Sequence, residues 1–135
     1  MRIIHLAQLP TFYHGTASAW WPQIQREGLQ EPFLCDSLEK AHYYAVETDE
    51  HPMVLRVTAP DANLLRYDAA AMDEPVLALP EDRDRAWEEA AQQHPEWMQD
   101  GMIIVPPEAW AVSWKGVGSC WYEGIISASN FQRIE

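Results

Sequence analysis

The sequence predicts a single α+β domain over residues 1–135, and three observations carry that prediction. The chain has 135 residues, about the size of one ordinary domain and enough to bury a core. Short runs of aromatic and β-branched residues recur along it, among them Phe12-Tyr13 and Met53-Val54-Leu55, and read as strands. Between them lie helical stretches that are stopped by Gly28 or Pro95. No internal repeat, linker or low-complexity tract divides the chain.

In chain order, residues 2–6 read as a short first strand, broken at Pro10, and residues 11–15 as the next. Residues 18–27 read as a helix with Ser18 as N-cap and Pro22 tolerated in its first turn. Gly28 at C′ puts Leu29 at C″ and Ile24 at C3, the apolar pair of a Schellman ending. Phe33-Leu34-Cys35 reads as a brief buried strand. Asp36 or Ser37 caps the helix that follows, on which Leu38, Ala41 and Ala45 share one face. Residues 53–57 form a strong strand closed by Ala59-Pro60-Asp61, and residues 62–68 continue the sheet or form a short connection. The pattern over 73–80 favours no element. Residues 81–93 are a polar helix anchored by Trp87 and ended by Pro95, and residues 102–105 are a strand turned by Pro106 and Pro107. Residues 109–114, 119–122 and 124–126 favour strand by their aromatic and β-branched content.

Composition narrows the function classes. Nine basic residues stand against 21 acidic ones, a net charge of −12, and such a surface repels phosphate backbones. General nucleic-acid binding is therefore not expected. Cys35 and Cys120 have no metal-type spacing, and two thiols in a chain of this length suggest a reducing compartment. Residues 1–6 lack the apolar run of a signal peptide, and no stretch approaches the roughly 20 apolar residues of a membrane span. A soluble, cytoplasmic protein with no membrane partner is the expectation. His42, His51 and His94 have no ligand spacing among themselves or with the cysteines, and neither a Gly-x-Ser-x-Gly nor a phosphate-cradling Gly-x-x-x-x-Gly-Lys occurs.

The stretch that stands out is Phe12-Tyr13-His14-Gly15-Thr16. Gly15 has no Cβ, so a flat ligand can lie against its backbone while His14 reaches over the same spot. With the helix ending in Gly28-Leu29, the strand Phe33-Leu34-Cys35-Asp36 and the helix carrying Lys40-Ala41-His42-Tyr43, the order resembles the ADP-ribosyltransferase superfamily. The branch it resembles is that of the poly(ADP-ribose) polymerases and diphtheria-toxin-like enzymes. The resemblance covers most of the chain loosely and is tight at 12–45 and 121–127.

That resemblance implies two small, mainly antiparallel sheets packed with short helices and a cleft for NAD between them. It implies that His14 hydrogen-bonds the nicotinamide ribose, that the Gly15 backbone grips the nicotinamide amide, and that Thr16 is the small hydroxylic position that follows. Phe33 stands where the family usually has tyrosine, keeping a stacking face and losing the hydroxyl. Tyr43 completes the sandwich around the ring, with Tyr44 a close rival. Trp121-Tyr122-Glu123-Gly124-Ile125-Ile126 resembles the late strand of the family's catalytic acid, which makes Glu123 that acid.

The chemistry is consistent with those residue types. Cleaving the bond to nicotinamide builds positive charge on the ribose carbon, which a nearby carboxylate stabilises, as in glycosidases. Aromatic faces hold the ring, and histidine fixes the ribose. The implied activity is mono-ADP-ribosyl transfer from NAD to a macromolecule. The acceptor expected is a protein with a basic surface, as for a small bacterial or phage effector, toxin or anti-defence protein, because an acidic chain is steered towards basic partners. Three readings stay open beside it: an NAD glycohydrolase, a catalytically silent NAD-fold binder, and the related RNA 2′-phosphotransferase, for which few arginines lie near the motifs.

Overall fold

The computed structural model describes residues 9–48 and 51–135, so the strand expected at 2–6 lies outside the described residues. The chain is α+β. Its strands are β1 (Phe12–Ala17), β2 (Leu29–Gln30), β3 (Phe33–Cys35), β4 (Pro52–Val57), β5 (Leu65–Arg66), β6 (Met98–Gln99), β7 (Met102–Ile103), β8 (Ser119–Tyr122), β9 (Ile125–Ile126) and β10 (Phe131–Arg133). Its helices are α1 (Trp21–Glu27), α2 (Leu38–Thr48), α3 (Ala69–Asp73), α4 (Pro80–Gln93) and α5 (Trp110–Val117). Six strands form one antiparallel sheet in the order β10-β4-β1-β3-β8-β5, and β2-β9 and β6-β7 are two-stranded ribbons. Among the described residues no helix is long and apolar enough to cross a membrane.

Alternation along β1 sorts its side chains between the two faces of that sheet. Phe12 faces the main core, where Leu34, Met53, Leu55, Leu65, Tyr122 and Ile126 are all buried. Trp110 and Trp114 close this core, their rings 6.3 Å and 5.0 Å from that of Phe12. Tyr13 and Gly15 face the other way, beneath α2, whose Ala41 and Ala45 are fully buried. Small residues on both sides let helix and strand close up. A Cβ on Gly15 would overlap the carbonyl oxygen of Ala41.

Local signals explain most element ends. Ser37 rather than Asp36 caps α2, its Oγ accepting the Lys40 N–H at 3.1 Å. On α2, Ala41 and Ala45 are buried as expected, but Leu38 is exposed. Gly28 closes α1 with one bond from its N–H to the Ile24 carbonyl, 2.8 Å, at φ 81° and ψ −179°. This is not the paired bonding of a Schellman ending, and the positive φ and the Ile126 carbonyl 2.6 Å from its missing Cβ both call for glycine. Ser18 does not cap α1: it opens a single 3₁₀ turn, Ser18–Trp20, and its N–H bonds the His51 carbonyl at 2.9 Å.

Three expectations are corrected by packing. Residues 110–114 form helix, not the strand expected over 109–114, because Trp110, Ser113, Trp114 and Val117 recur at helical spacing and bury one side of α5. That periodicity overrides the strand preference of tryptophan and valine. Phe33 is not buried with the rest of its strand: Leu34 and Cys35 are, while Phe33 is 60 % exposed. The third correction is architectural: where two small antiparallel sheets are expected, the strands form one six-stranded antiparallel sheet and two two-stranded ones.

Elsewhere the reading of α4 stands. It ends at Gln93, and Trp87 anchors it through an indole N–H that donates to the Tyr67 hydroxyl at 3.1 Å.

Candidate functional site

The site is centred on a gap in the six-stranded sheet. β1 and β3 pair in register at Tyr13 and Cys35. One residue further along β1, the imidazole of His14 spans the gap, its Nδ1 2.7 Å from the Phe33 carbonyl oxygen. A carbonyl only accepts, so Nδ1 carries the proton and the neutral ring offers Nε2 as an acceptor. Burial pushes the His14 pKa below its ordinary value, against the opposing pull of the Phe33 carbonyl.

A cleft of about 730 Å³ opens on the α2 side of this gap, within the range of small-molecule sites. His14, Gly15 and Phe33 form its floor, Tyr43, Tyr44 and Glu47 of α2 one wall, and Asp68 and the segment after it the other. The cleft therefore lies on one face of a single sheet, between α2 and α3, and not between two sheets. A second cavity of about 390 Å³ shares His14 and Phe33 and extends towards Thr16, Trp20, Glu27 and Glu31.

Five of the seven residues singled out from the sequence thus meet in one cleft: His14, Gly15, Phe33, Tyr43 and Tyr44. Both tyrosines line it, their rings 5.8 Å apart and edge to face. The Tyr43 hydroxyl donates to Glu47, which raises its pKa. Partial burial, and then the charge of Asp68, raises that of Tyr44. Thr16 is on the other side of the gap and lines only the second cavity.

Glu123 is among the lining residues of neither cavity. It leaves the sheet two residues beyond Trp121, the cross-strand partner of Phe33. Its N–H donates to the Leu64 carbonyl at 2.8 Å. Its carboxylate accepts from Nε and Nη2 of Arg66 at 3.1 Å and 3.0 Å. Arg66 is itself fixed by bonds from Nη1 to the carbonyls of Asn63 and Leu65.

Three carboxylates in the cleft, Glu47, Asp68 and Glu74, escaped the sequence reading. Glu47 was within reach of it, one helical turn beyond Tyr43 on the same face. Asp68 carried only the signal of a helix cap. It caps α3 by accepting the Ala71 N–H at 3.1 Å, and its second oxygen accepts the Ser119 hydroxyl at 2.6 Å. Only contact across the sheet brings it to Tyr44. Cys35, also in the lining, is a packed thiol, its pKa pushed up to about 11 chiefly by burial.

No family model, curated protein or solved structure matches the chain.

Proposed function

We propose that the chain is an NAD-dependent mono-ADP-ribosyltransferase that modifies a protein with a basic surface. The observation that carries this reading is the meeting of His14, Gly15, Phe33 and the two tyrosines in one cleft, although His14 and Tyr44 are 30 positions apart in the sequence. NAD supplies a glycosidic bond already weakened by its positively charged leaving ring. Phe33 and Tyr43, with Tyr44 beside it, hold that ring by stacking, each aromatic pair contributing about 0.5–1.5 kcal/mol beyond area burial. Nε2 of His14 accepts a hydrogen bond from a ribose hydroxyl, since Nδ1 carries the proton. Glu123, two residues beyond the cross-strand partner of Phe33, is the carboxylate that the resemblance assigns to the developing ribose cation.

The nicotinamide end of NAD fits these walls better than the diphosphate does. No lysine or arginine is among the described residues lining either cavity, so these walls offer the phosphates no cationic side chain. The exposed carboxylates of α4, Glu81, Asp84, Glu88 and Glu89, add to a net charge of −12 that favours docking on a basic protein.

One observation favours a second reading, the silent binder: the Glu123 carboxylate is already paired with Arg66 and does not line the cleft. Incubation with NAD, with nicotinamide and protein mass both followed in a cell lysate, separates the readings. A transferase releases nicotinamide and adds ADP-ribose to a protein. A glycohydrolase releases nicotinamide alone, and a silent binder does neither.

A further inference from the structure

We infer that the larger cleft prefers a flat aromatic cation to a neutral ring of the same shape, and that Glu47 sets the preference. The inference takes the identity of the natural ligand, the positively charged ring of oxidised NAD, from the function proposed above. The selectivity itself comes from the side chains that line the cleft.

Three aromatic side chains present themselves to the cleft, Phe33 at 60 %, Tyr43 at 41 % and Tyr44 at 37 % exposure. Aromatic faces carry negative potential and attract a cation laid against them. A purely apolar slot would hold neutral and charged rings alike. This one also has Glu47, Asp68 and Glu74 in its walls, no lysine or arginine among its described lining, and a histidine whose proton is on the nitrogen facing the Phe33 carbonyl.

The carboxylates are not equivalent. Asp68 is buried and already accepts from Ser119 and from the Ala71 N–H, so its charge is spread over fixed donors. Glu47 is on the exposed side of α2 and takes the Tyr43 hydroxyl, which keeps its carboxylate against the aromatic wall. It can meet a positive ring without loss of a structural contact elsewhere. The overall acidity of the protein does not substitute for it, because charges farther than about 8 Å are largely screened at physiological salt.

The test is equilibrium titration of the whole chain with the 1-methylnicotinamide cation and with neutral nicotinamide, at low and at physiological salt. The expected result is binding of the cation about fivefold to tenfold tighter than the neutral ring, a margin that narrows as salt rises. In Glu47→Gln the margin between the two rings, both measured on the same variant, should fall to about twofold or less. Glu47 is exposed, so the variant should keep the wild-type melting temperature, and Glu47→Asp, which keeps the charge, should restore part of the margin.

Equal binding of the two rings, an undiminished margin in Glu47→Gln, or no binding of either ring at millimolar concentration would each overturn the inference. Nicotinamide release from NAD is measured separately. A cation preference without release would contradict the transferase reading alone, and release without a cation preference would contradict this inference alone.

Discussion

The imidazole of His14 is hydrogen-bonded to the carbonyl of Phe33 at 2.7 Å, across the gap where β1 and β3 stop pairing. The bond fixes which nitrogen carries the proton. It also joins the histidine to the strand that presents the most exposed aromatic of the cleft.

A pH dependence follows. The folded-state pKa of His14 is lowered, chiefly by burial, so the unfolded chain binds the proton more tightly than the folded one. The stability linked to neutral His14 is therefore complete above the unfolded value, about 6.5. It is lost as pH falls from there through the lower folded value. Melting temperatures of wild type and His14→Asn, compared at pH 7.5 and 5.5, should show the larger acid-induced drop in the wild type. An equal drop in the two proteins would remove His14 as its source.

Gly15→Ala should destabilise the fold. The added methyl overlaps the Ala41 carbonyl, and α2 must move off the sheet to admit it. Overpacking of this kind costs about 1–3 kcal/mol. Denaturant unfolding measures it, and an unchanged midpoint would show that the contact between α2 and β1 yields freely.

Phe33 and Phe12 lie in neighbouring strands of one sheet and should respond in opposite ways. Phe12 is fully buried against Trp114, so Phe12→Ala should cost about 3–5 kcal/mol of stability. Phe33→Ala should leave the melting temperature nearly unchanged and weaken NAD binding several-fold, while Phe33→Tyr keeps both. Calorimetric titration and thermal melts on the same samples decide this. NAD affinity equal in wild type and Phe33→Ala would take Phe33 out of the site.

Cys35 lines the cleft with a pKa near 11, so it is a thiol and a poor nucleophile at neutral pH. Iodoacetamide at pH 7.5 should leave it unmodified in the folded protein and alkylate it in denaturant, as peptide mass spectrometry would read. Rapid labelling of the native chain would contradict the packing.

How much of this the sequence discloses follows physical lines. The parts that depend on near neighbours were legible: the strand at Phe12, the capping at Asp36 or Ser37, the small face of α2, and the glycine end of α1. So was the grouping of His14 with Phe33 and the tyrosines, through the resemblance and not through periodicity. What was missed depends on contacts distant in sequence. Trp110 and Trp114 became helical because their four-residue spacing lets both rings reach Phe12. Asp68 enters the cleft only because Ser119, 51 residues later, holds its carboxylate beside α2. The pairing of Glu123 with Arg66 joins β5 to the end of β8, two segments whose adjacency no local pattern encodes.

The central claim is that this cleft breaks the nicotinamide bond of NAD with Glu123 as the acid. The most direct test is nicotinamide release at saturating NAD by wild type and Glu123→Gln, with melting temperature as the control. The carboxylate is half exposed, and surface ion pairs contribute about 0–1 kcal/mol, so the variant should melt close to the wild type. The account predicts release by the wild type and a fall of roughly 10²–10³ in the variant, the scale for removing one preorganised transition-state partner. Release that is equal in the two proteins, or absent from the wild type, would contradict it.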